Sequence, residues 1–366
     1  MPAAQRVRRG ATLSLVFGAV LMAGAAAGAW DEPDRAPLPP SSDTAQLAAQ
    51  DLTGADLSPQ QAERLVGESG DRWAAYLGPE QYADTTRGRY LGVGLSVDRA
   101  ADGSTSVTEV VADGPAAAAL IAPGDRLLRI DGEAADALPV TEVVARLRGR
   151  QAGTGVVLAL SRTDGPVREV TLTRAVLAAR EVAVDHPAPE VTRIAVHAFT
   201  RGVADQVRTA ARGARGVVLD LRGNSGGLVD EAVATASVFL DGGSVASYQV
   251  RGERRELVAA GGGDTATPLV VLVDGGTMSA AELLAGALQD RCRAVLVGSR
   301  TFGKGTVQQP SRLADGSVLE LTVGRYATPA GRSPDGEGLL PDVPAGGPGD
   351  TADLAVRVLA GLRARA

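Results

Sequence analysis

The chain holds one cysteine and two histidines in 366 residues. A single cysteine, Cys292, excludes an internal disulfide and reads as a small buried residue of the core. Together with the separated His186 and His197 it provides no cluster of ligands at metal spacing. No metal and no organic cofactor are therefore expected. Basic excess is also missing: the net charge is −6, which argues against nucleic acid as the main partner. The pattern S-x-x-K occurs nowhere in the chain, so a serine and lysine sharing one helical turn are excluded. What is abundant is turn chemistry and apolar surface. There are 46 glycines, 20 prolines and 45% hydrophobic residues, the composition of a globular protein with many turns. The length suffices for two or more domains and a sizeable core.

The most informative stretch runs from 268 to 309, PLVVLVDGGTMSAAELLAGALQDRCRAVLVGSRTFGKGTVQQ. Pro268 to Val273 is a short continuous apolar run and predicts a buried strand. Asp274-Gly275-Gly276 breaks it. Ser279 then stands at the mouth of a predicted helix, Ala280 to Asp290. Ala294 to Gly298 predicts a second buried strand, which delivers the loop Thr301-Phe302-Gly303-Lys304-Gly305. A serine hydroxyl needs a neighbour to take its proton before it attacks a carbonyl. A strand-to-helix turn exposes that hydroxyl and aims backbone N–H groups at a developing oxyanion. Lysine serves as the base if burial lowers its pKa. The glycines beside Lys304 permit close packing there. With a strand at Thr306 to Gln309, Lys304 and Gln308 fall on one face, because their spacing is even. Gln308 would then orient the amine. The ordinary alternatives are an N-cap for Ser279 and a solvated turn residue for Lys304.

The same residues resemble the C-terminal processing peptidases, also called tail-specific proteases. That family carries a turn close to S-A-S-A-S-E, then G-A-L-Q-D, then E-R-T-F-G-K-G-x-V-Q. Here stand Thr277-Met278-Ser279-Ala280-Ala281-Glu282, then Gly286 to Asp290, then Ser299 to Gln308. The resemblance implies a serine endopeptidase with Ser279 as nucleophile, Lys304 as general base and Gln308 in support. Met278 and Ala281 depart from the family pattern at positions that carry no chemistry. The similarity extends from about Gly67 to Val343.

The remainder of the chain fits that frame. Arg6, Arg8 and Arg9 precede an apolar run, Ala11 to Ala29, which ends in an A-x-A-like site at Ala27-Gly28-Ala29. Residues 1–29 read as a signal peptide or a membrane anchor, exporting the rest of the chain to the cell envelope or beyond. No cysteine near that site supports a lipid anchor. Residues 30–57 are a Pro- and Ser-rich linker. A helical segment, 58–88, starts at Ser58-Pro59 and includes Gly70 to Tyr82, whose Trp and Tyr side chains are read as packing anchors.

Residues 89–175 resemble a PDZ domain. Leu91, Gly92, Val93, Gly94 and Leu95 stand where such domains capture a peptide C-terminus with backbone N–H groups. Pro123 to Gly132 carries the second hallmark, a strand closed by an Asp-Gly turn. Arg148 lies in a segment similar to one with a gating arginine in some relatives.

Residues 181–345 are the expected Ser/Lys protease core, and 346–366 a C-terminal helix. Gly216 to Leu221 is a buried strand ending in Arg222-Gly223-Asn224-Ser225-Gly226-Gly227, similar to the family's L-D-L-R-x-N-x-G-G. By that resemblance the oxyanion hole falls to the N–H groups of Gly226 (or Gly227) and Ala280. The fold implied is α/β (α+β), a PDZ domain followed by a Clp-protease/crotonase-like core, with a small N-terminal helical segment.

The expected function is an exported serine endopeptidase that takes proteins by unstructured C-terminal tails. The membrane enters only through the N-terminal segment, and the oligomeric state is left open. Two readings compete. One is a tail-binding PDZ adaptor with an inactive core. The other makes Ser225 the nucleophile, since Gly223 to Gly227 also resembles the loop of trypsin-like proteases. There the order is His, Asp, Ser with the His far upstream, whereas His197 and His186 lie close before Ser225 and the PDZ domain precedes the core.

Overall fold

The computed structural model describes residues 52–364, apart from 101–102, 139, 150, 163–164, 251–252 and 346–347. The segment read as a signal or anchor, and nearly all of the linker, lie outside the described residues. Among those described, no helix is long and apolar enough to cross a membrane. The chain divides at Gly88/Arg89 and Ala179/Arg180 into two compact units.

The first unit is an antiparallel sheet. Strands Leu95–Arg99, Thr105–Val110, Asp125–Ile130, Gly155–Arg162 and Arg168–Thr173 neighbour one another in that order. The Asp-Gly signal is a tight turn: Asp131 and Gly132 have φ of 50° and 85° and join Asp125–Ile130 to Glu133–Ala134. Positive φ at both central residues matches the twist of a two-residue hairpin. Helices Pro115–Ala118 and Val140–Arg148 accompany the sheet. The core is Val97, Val107, Leu127, Ile130, Leu158 and Leu160 with Val143 and Leu147 of the longer helix. Buried Asp125 accepts from Arg162 at 2.7 Å and Arg168 at 3.1 Å, and the hydrogen bond from Arg162 leads in holding its carboxyl down at about 2. Arg89–Gly92 pairs antiparallel with Ala175–Ala178, Arg89 opposite Ala178, which brings the two ends of the unit together.

The second unit is built on a parallel sheet. Val191–Val196, Val217–Asp220, Leu269–Val273, Val295–Gly298 and Val343–Pro344 run parallel, and Val182–Ala188 adds an antiparallel edge. Every residue of Leu269–Val273 is buried, as an unbroken apolar run requires when both faces are covered. Alternation then sorts the side chains. Leu219, Val271 and Leu296 pack with the helices Val203–Ala211, Val229–Phe239 and Ala280–Asp290. Val218, Val270 and Val297 pack with Ala355 and Leu359 of the C-terminal helix Pro348–Arg363.

A second sheet holds Ser244–Val250, Glu253–Val258, Thr306–Arg312, Val318–Ala327 and Ala75–Leu77. The N-terminal segment joins the unit through it, with Ala75 opposite Glu320. Its helix Pro59–Glu68 begins where Ser58 predicts. The Gln61 side chain accepts from the Ser58 N–H at 2.8 Å, and the Ser58 hydroxyl accepts from the Gln61 N–H at 3.3 Å, a reciprocal cap.

Cys292 departs from expectation. It is exposed rather than buried, with φ of 51°. It follows Arg291, the C-cap of Ala280–Asp290, where chains often turn left-handed to end a helix and where the side chain points away from the core.

Glu181 opens the edge strand's approach and carries a prediction. It is 5% exposed and neither carboxylate oxygen has a hydrogen-bond partner. Burial pushes its carboxyl up to about 8. Between pH ~4.5 and 8 the folded protein therefore holds a proton that the unfolded chain has released, and stability falls as pH rises through that window. At ~1.4 kcal/mol per pH unit the ceiling is ~5 kcal/mol. Glu181→Gln is expected to raise the melting temperature at pH 8.5 and change it little at pH 5. Equal shifts at both pH values in thermal melts would show that the carboxyl is ionised in the fold.

Candidate active site

Two loops of the second unit meet at Ser279. The first comes after Val217–Asp220 and the second after Leu269–Val273, which are adjacent parallel strands. Their loops leave the same end of the sheet, where ligands of open α/β sheets collect. Hydrogen bonds fasten one to the other. Asp274 accepts from the N–H groups of Gly223 and Gly276, each at 2.9 Å. The Thr277 hydroxyl donates to the Leu221 carbonyl at 2.9 Å, and the Met278 N–H donates to the Asn224 carbonyl at 2.9 Å. Asn224, fully buried, is itself tied by its side-chain amide to the Val196 carbonyl at 2.8 Å.

Ser279 sits at φ 56°, ψ −117°. A non-glycine residue at positive φ and this ψ costs on the order of 1–3 kcal/mol and persists only where neighbours over-determine it. They do so here. The Ser279 N–H donates to Glu282 at 2.9 Å, and its carbonyl accepts from the Tyr326 hydroxyl at 3.1 Å and the Leu283 N–H at 3.0 Å. The strain belongs to a turn that lifts the side chain off the strand end at the head of Ala280–Asp290.

Glycine is required opposite. A Cβ on Gly226, at φ 95°, would lie 3.0 Å from the Ser279 Cβ and 3.2 Å from the Ala280 nitrogen. The Gly226 N–H donates to Asn224 Oδ1 at 2.8 Å. Among the described residues, the N–H groups of Gly227 and Ala280 have no protein partner. Gly227 is exposed, and Ala280 is the first residue of its helix, where N–H groups lack intrahelical acceptors.

Lys304 is 6% exposed. Its ammonium lies 4.2 Å from the centroid of the Trp73 ring. Burial leads in lowering its pKa, to about 8, with Glu320 and Asp71 opposing the shift by their negative charge. The loop that carries it is pinned throughout: the Gly305 carbonyl accepts from Tyr326 and the Gly303 carbonyl from Gly336, both at 2.9 Å. A Cβ on Gly305 would meet the Asp335 nitrogen at 2.5 Å. No hydrogen bond among the described residues joins the Ser279 hydroxyl to the Lys304 amine. Such bonds commonly form only once substrate has closed the site.

Glu282 joins the two halves of the site. It is fully buried. One oxygen accepts from the Thr301 hydroxyl at 2.6 Å and the Gly303 N–H at 2.8 Å. The other accepts from the N–H groups of Ser279 and Lys304, both at 2.9 Å. Burial raises its carboxyl pKa against the pull of those four donors. Sequence reasoning assigns it no role, although S-x-x-E at a helix start is the capping-box spacing.

Gln308 stands elsewhere than expected. Its amide donates to the Thr306 and Thr322 hydroxyls, each at 3.0 Å, and not to Lys304. The even-spacing argument fails because it needs one extended strand through both residues. Lys304 precedes the strand Thr306–Arg312, so strand alternation does not relate the two side chains.

The histidines and Ser225 form no triad among the described contacts. His186 bonds the Val191 carbonyl at 3.3 Å. That is the far end of Val191–Val196 from Asn224, some five residues or ~17 Å away at strand rise.

In the first unit a groove is lined by Tyr90, Gly92 to Val97, Val144, Leu147 and Arg148. Four of the five loop residues selected from the sequence line it. Leu91 does not, pairing instead with Val176. The N–H groups of Val93 and Gly94 have no partner among the described residues. Arg148 ends its helix half-buried, with its guanidinium 5.8 Å from the Tyr90 ring centroid.

Comparison with known proteins agrees with this architecture. The profile of peptidase family S41 matches residues 190–345, and that of the PDZ domain matches 83–160. A carboxyl-terminal-processing protease of Synechocystis sp. is 35% identical over 298 residues, 76% of this chain and 69% of that protein. The carboxy-terminal processing protease CtpA of Bacillus subtilis is 32% identical over 77% of this chain and 62% of its own length. Among solved structures, a photosystem II D1 C-terminal processing protease aligns with a TM-score of 0.52 at 30% identity, covering 80% of this chain and 83% of that one. A putative S41 protease from Bacteroides fragilis, 16% identical, shares the fold with a TM-score of 0.57 over 90% of this chain and all of its own. The fold and site thus define a PDZ-bearing peptidase with mixed α and β structure. The chain belongs to the carboxyl-terminal-processing proteases of peptidase family S41.

Proposed function

We propose that this peptidase is a serine endopeptidase using Ser279 and Lys304, which holds protein substrates by a free, unstructured C-terminal tail and cuts upstream of it. The observation that carries the reading is the shared buried carboxylate. One Glu282 oxygen takes the N–H groups of both Ser279 and Lys304, so a strained serine and a dry lysine are fixed relative to each other.

The chemistry rests on these groups. Neutral Lys304 accepts the Ser279 proton as the serine oxygen bonds to the peptide carbonyl carbon. The carbonyl electrons move onto its oxygen, which the free N–H groups of Gly227 and Ala280 receive; Gly226, engaged by Asn224, supports the loop. The Lys304 ammonium then passes its proton to the leaving amine as the C–N bond breaks. Water repeats the sequence to release the acyl group. Gln308 acts at a remove, by bonding the Thr322 hydroxyl, which in turn bonds Asp71. In the first unit, the groove, where the N–H groups of Val93 and Gly94 have no partner among the described residues, suits a chain-terminal carboxylate, and Arg148 flanks it as a candidate gate. Export by residues 1–29 completes the reading and places activity outside the cytoplasm.

The test is the pH dependence of kcat/KM on a reporter with an unstructured tail. Below the Lys304 midpoint the neutral fraction rises tenfold per pH unit, so kcat/KM climbs from pH 6 and levels above about 8. A flat profile from pH 6 to 10 rules out lysine as the base. Amidating the reporter's C-terminus should raise KM with kcat little changed; unchanged KM removes tail capture.

A further inference from the structure

Trp73 reads from sequence as a packing anchor, and its surroundings say more. The ring is 4% exposed. The Lys304 ammonium stands 4.2 Å from its centroid and the Arg72 guanidinium 4.7 Å, while Phe302 meets it edge-on at 6.3 Å. The residue is held in place by the same polar chain that reaches Gln308. The Trp73 backbone N–H donates to Asp71 at 2.9 Å, Asp71 accepts from the Thr322 N–H at 2.7 Å and hydroxyl at 3.0 Å, and that hydroxyl accepts from Gln308.

A general base in this site has two conflicting needs. It must rest as a neutral amine, and it must be comfortable as an ammonium once the serine proton arrives. A carboxylate in contact would satisfy the second need and defeat the first, because it fixes the charged form. An aromatic face satisfies both. Its apolar body excludes water from the amine, and its quadrupole attracts the cation only after that cation forms. The charged groups around Lys304 fit this division. Glu320 comes from Val318–Ala327, Asp71 and Arg72 from the turn before Ala75–Leu77, and Glu282 from Ala280–Asp290. None of them makes a hydrogen bond to the amine, and the described contact of the ammonium is the ring.

We propose that Trp73 is a positioning residue of the dyad, its indole face being the dry, cation-tolerant seat on which the Lys304 amine receives the Ser279 proton. This rests on the Ser279/Lys304 reading. The step balances: the serine O–H bond breaks, an N–H bond forms on Lys304, and the oxygen's electron pair enters the new bond to the carbonyl carbon.

Lys304 is the only lysine of the 366 residues, which allows a direct test. Full-length protein grown with lysine labelled by carbon-13 at Cε gives one lysine resonance, and its shift against pH reports the Lys304 midpoint without any catalysis. The titration is run beside kcat/KM profiles for the parent, Trp73→Phe, Trp73→Leu and Lys304→Ala, with thermal melts for each. Trp73→Phe should keep a midpoint near the parent's and most of the activity. Trp73→Leu keeps the seat dry and removes the quadrupole; its midpoint should fall by about half a unit to one unit and its plateau kcat/KM by about tenfold, a size set by a cation–π contact in a desolvated site. A parent-like midpoint in folded Trp73→Leu overturns the seat and leaves Trp73 a packing residue, whatever the fate of the dyad. If the midpoint moves but Lys304→Ala cleaves like the parent, the dyad reading fails and takes the positioning role with it.

Discussion

Ser279→Ala and Lys304→Ala are each expected to lower kcat/KM by on the order of 10³-fold or more, and together no further than either alone, because nucleophile and base act as a unit. Lys304→Arg should be as inactive as Lys304→Ala. A guanidinium keeps the positive charge and cannot surrender its proton at working pH, so the pair separates a base from a charge that merely steadies the oxyanion. Ser225→Ala should remain active. Its loop is organised by Asn224, Gly226 and Asp274 through bonds in which the Ser225 side chain takes no part. The measurement is initial-rate cleavage of a denatured or tailed reporter. Activity surviving in Ser279→Ala and vanishing in Ser225→Ala would reopen the trypsin-like reading. A parent that cleaves nothing, yet binds a peptide with a free C-terminus, would favour the adaptor.

The second large effect is expected at Glu282. Its two oxygens receive four donors in a site without solvent. Glu282→Ala strands all four. At ~1–3 kcal/mol for each buried unpaired group, the loss rivals the whole stability of a typical domain, ~5–15 kcal/mol; this variant should scarcely fold. Glu282→Gln is the informative one. It keeps the volume but turns an NH₂ toward one pair of donors, so a loss of ~2–4 kcal/mol in stability and at least ~100-fold in kcat/KM is expected. Thermal melts with kcat/KM measured on the folded fraction check this. Glu282→Gln with parental rate and parental melting would mean that the carboxylate is not what joins the two loops.

What can be read from the sequence is local. Ser279 at a strand-to-helix turn and Lys304 between glycines each depend on a few neighbouring residues, and the helix Ala280–Asp290 lies where its composition and breakers put it. The strand Leu269–Val273 is equally visible as an unbroken apolar run. The failures are non-local or turn on where a strand begins. Periodicity cannot foresee that Lys304 stays outside the strand Thr306–Arg312, or that the Gln308 amide reaches across to Thr322 of the neighbouring strand. The S-x-x-E spacing announces a helix cap at Glu282, but nothing local says that its other hydrogen bonds reach across to Thr301, Gly303 and Lys304. Composition places Trp73 in a core without saying which core. One overlooked signal is numerical: a chain with 37 Lys plus Arg residues keeps its single lysine between two glycines.

The order in which the chain is made bears on when it can cut. The Asp71–Thr322 bonds join residues 251 positions apart, and Ala75–Leu77 pairs with Val318–Glu320 across a similar gap. During synthesis the segment that carries Trp73 emerges early and waits for its strand while the whole Arg89–Ala179 unit and most of the parallel sheet are added. Domains fold as units as they emerge, and pairings between such distant residues form slowly. The contact between Lys304 and Trp73 is therefore expected among the last events of folding. On the Ser279/Lys304 reading, a chain that has not yet paired Val318–Glu320 with Ala75–Leu77 has the serine turn within reach of assembly but no finished base, so proteolytic competence would arrive only with that strand.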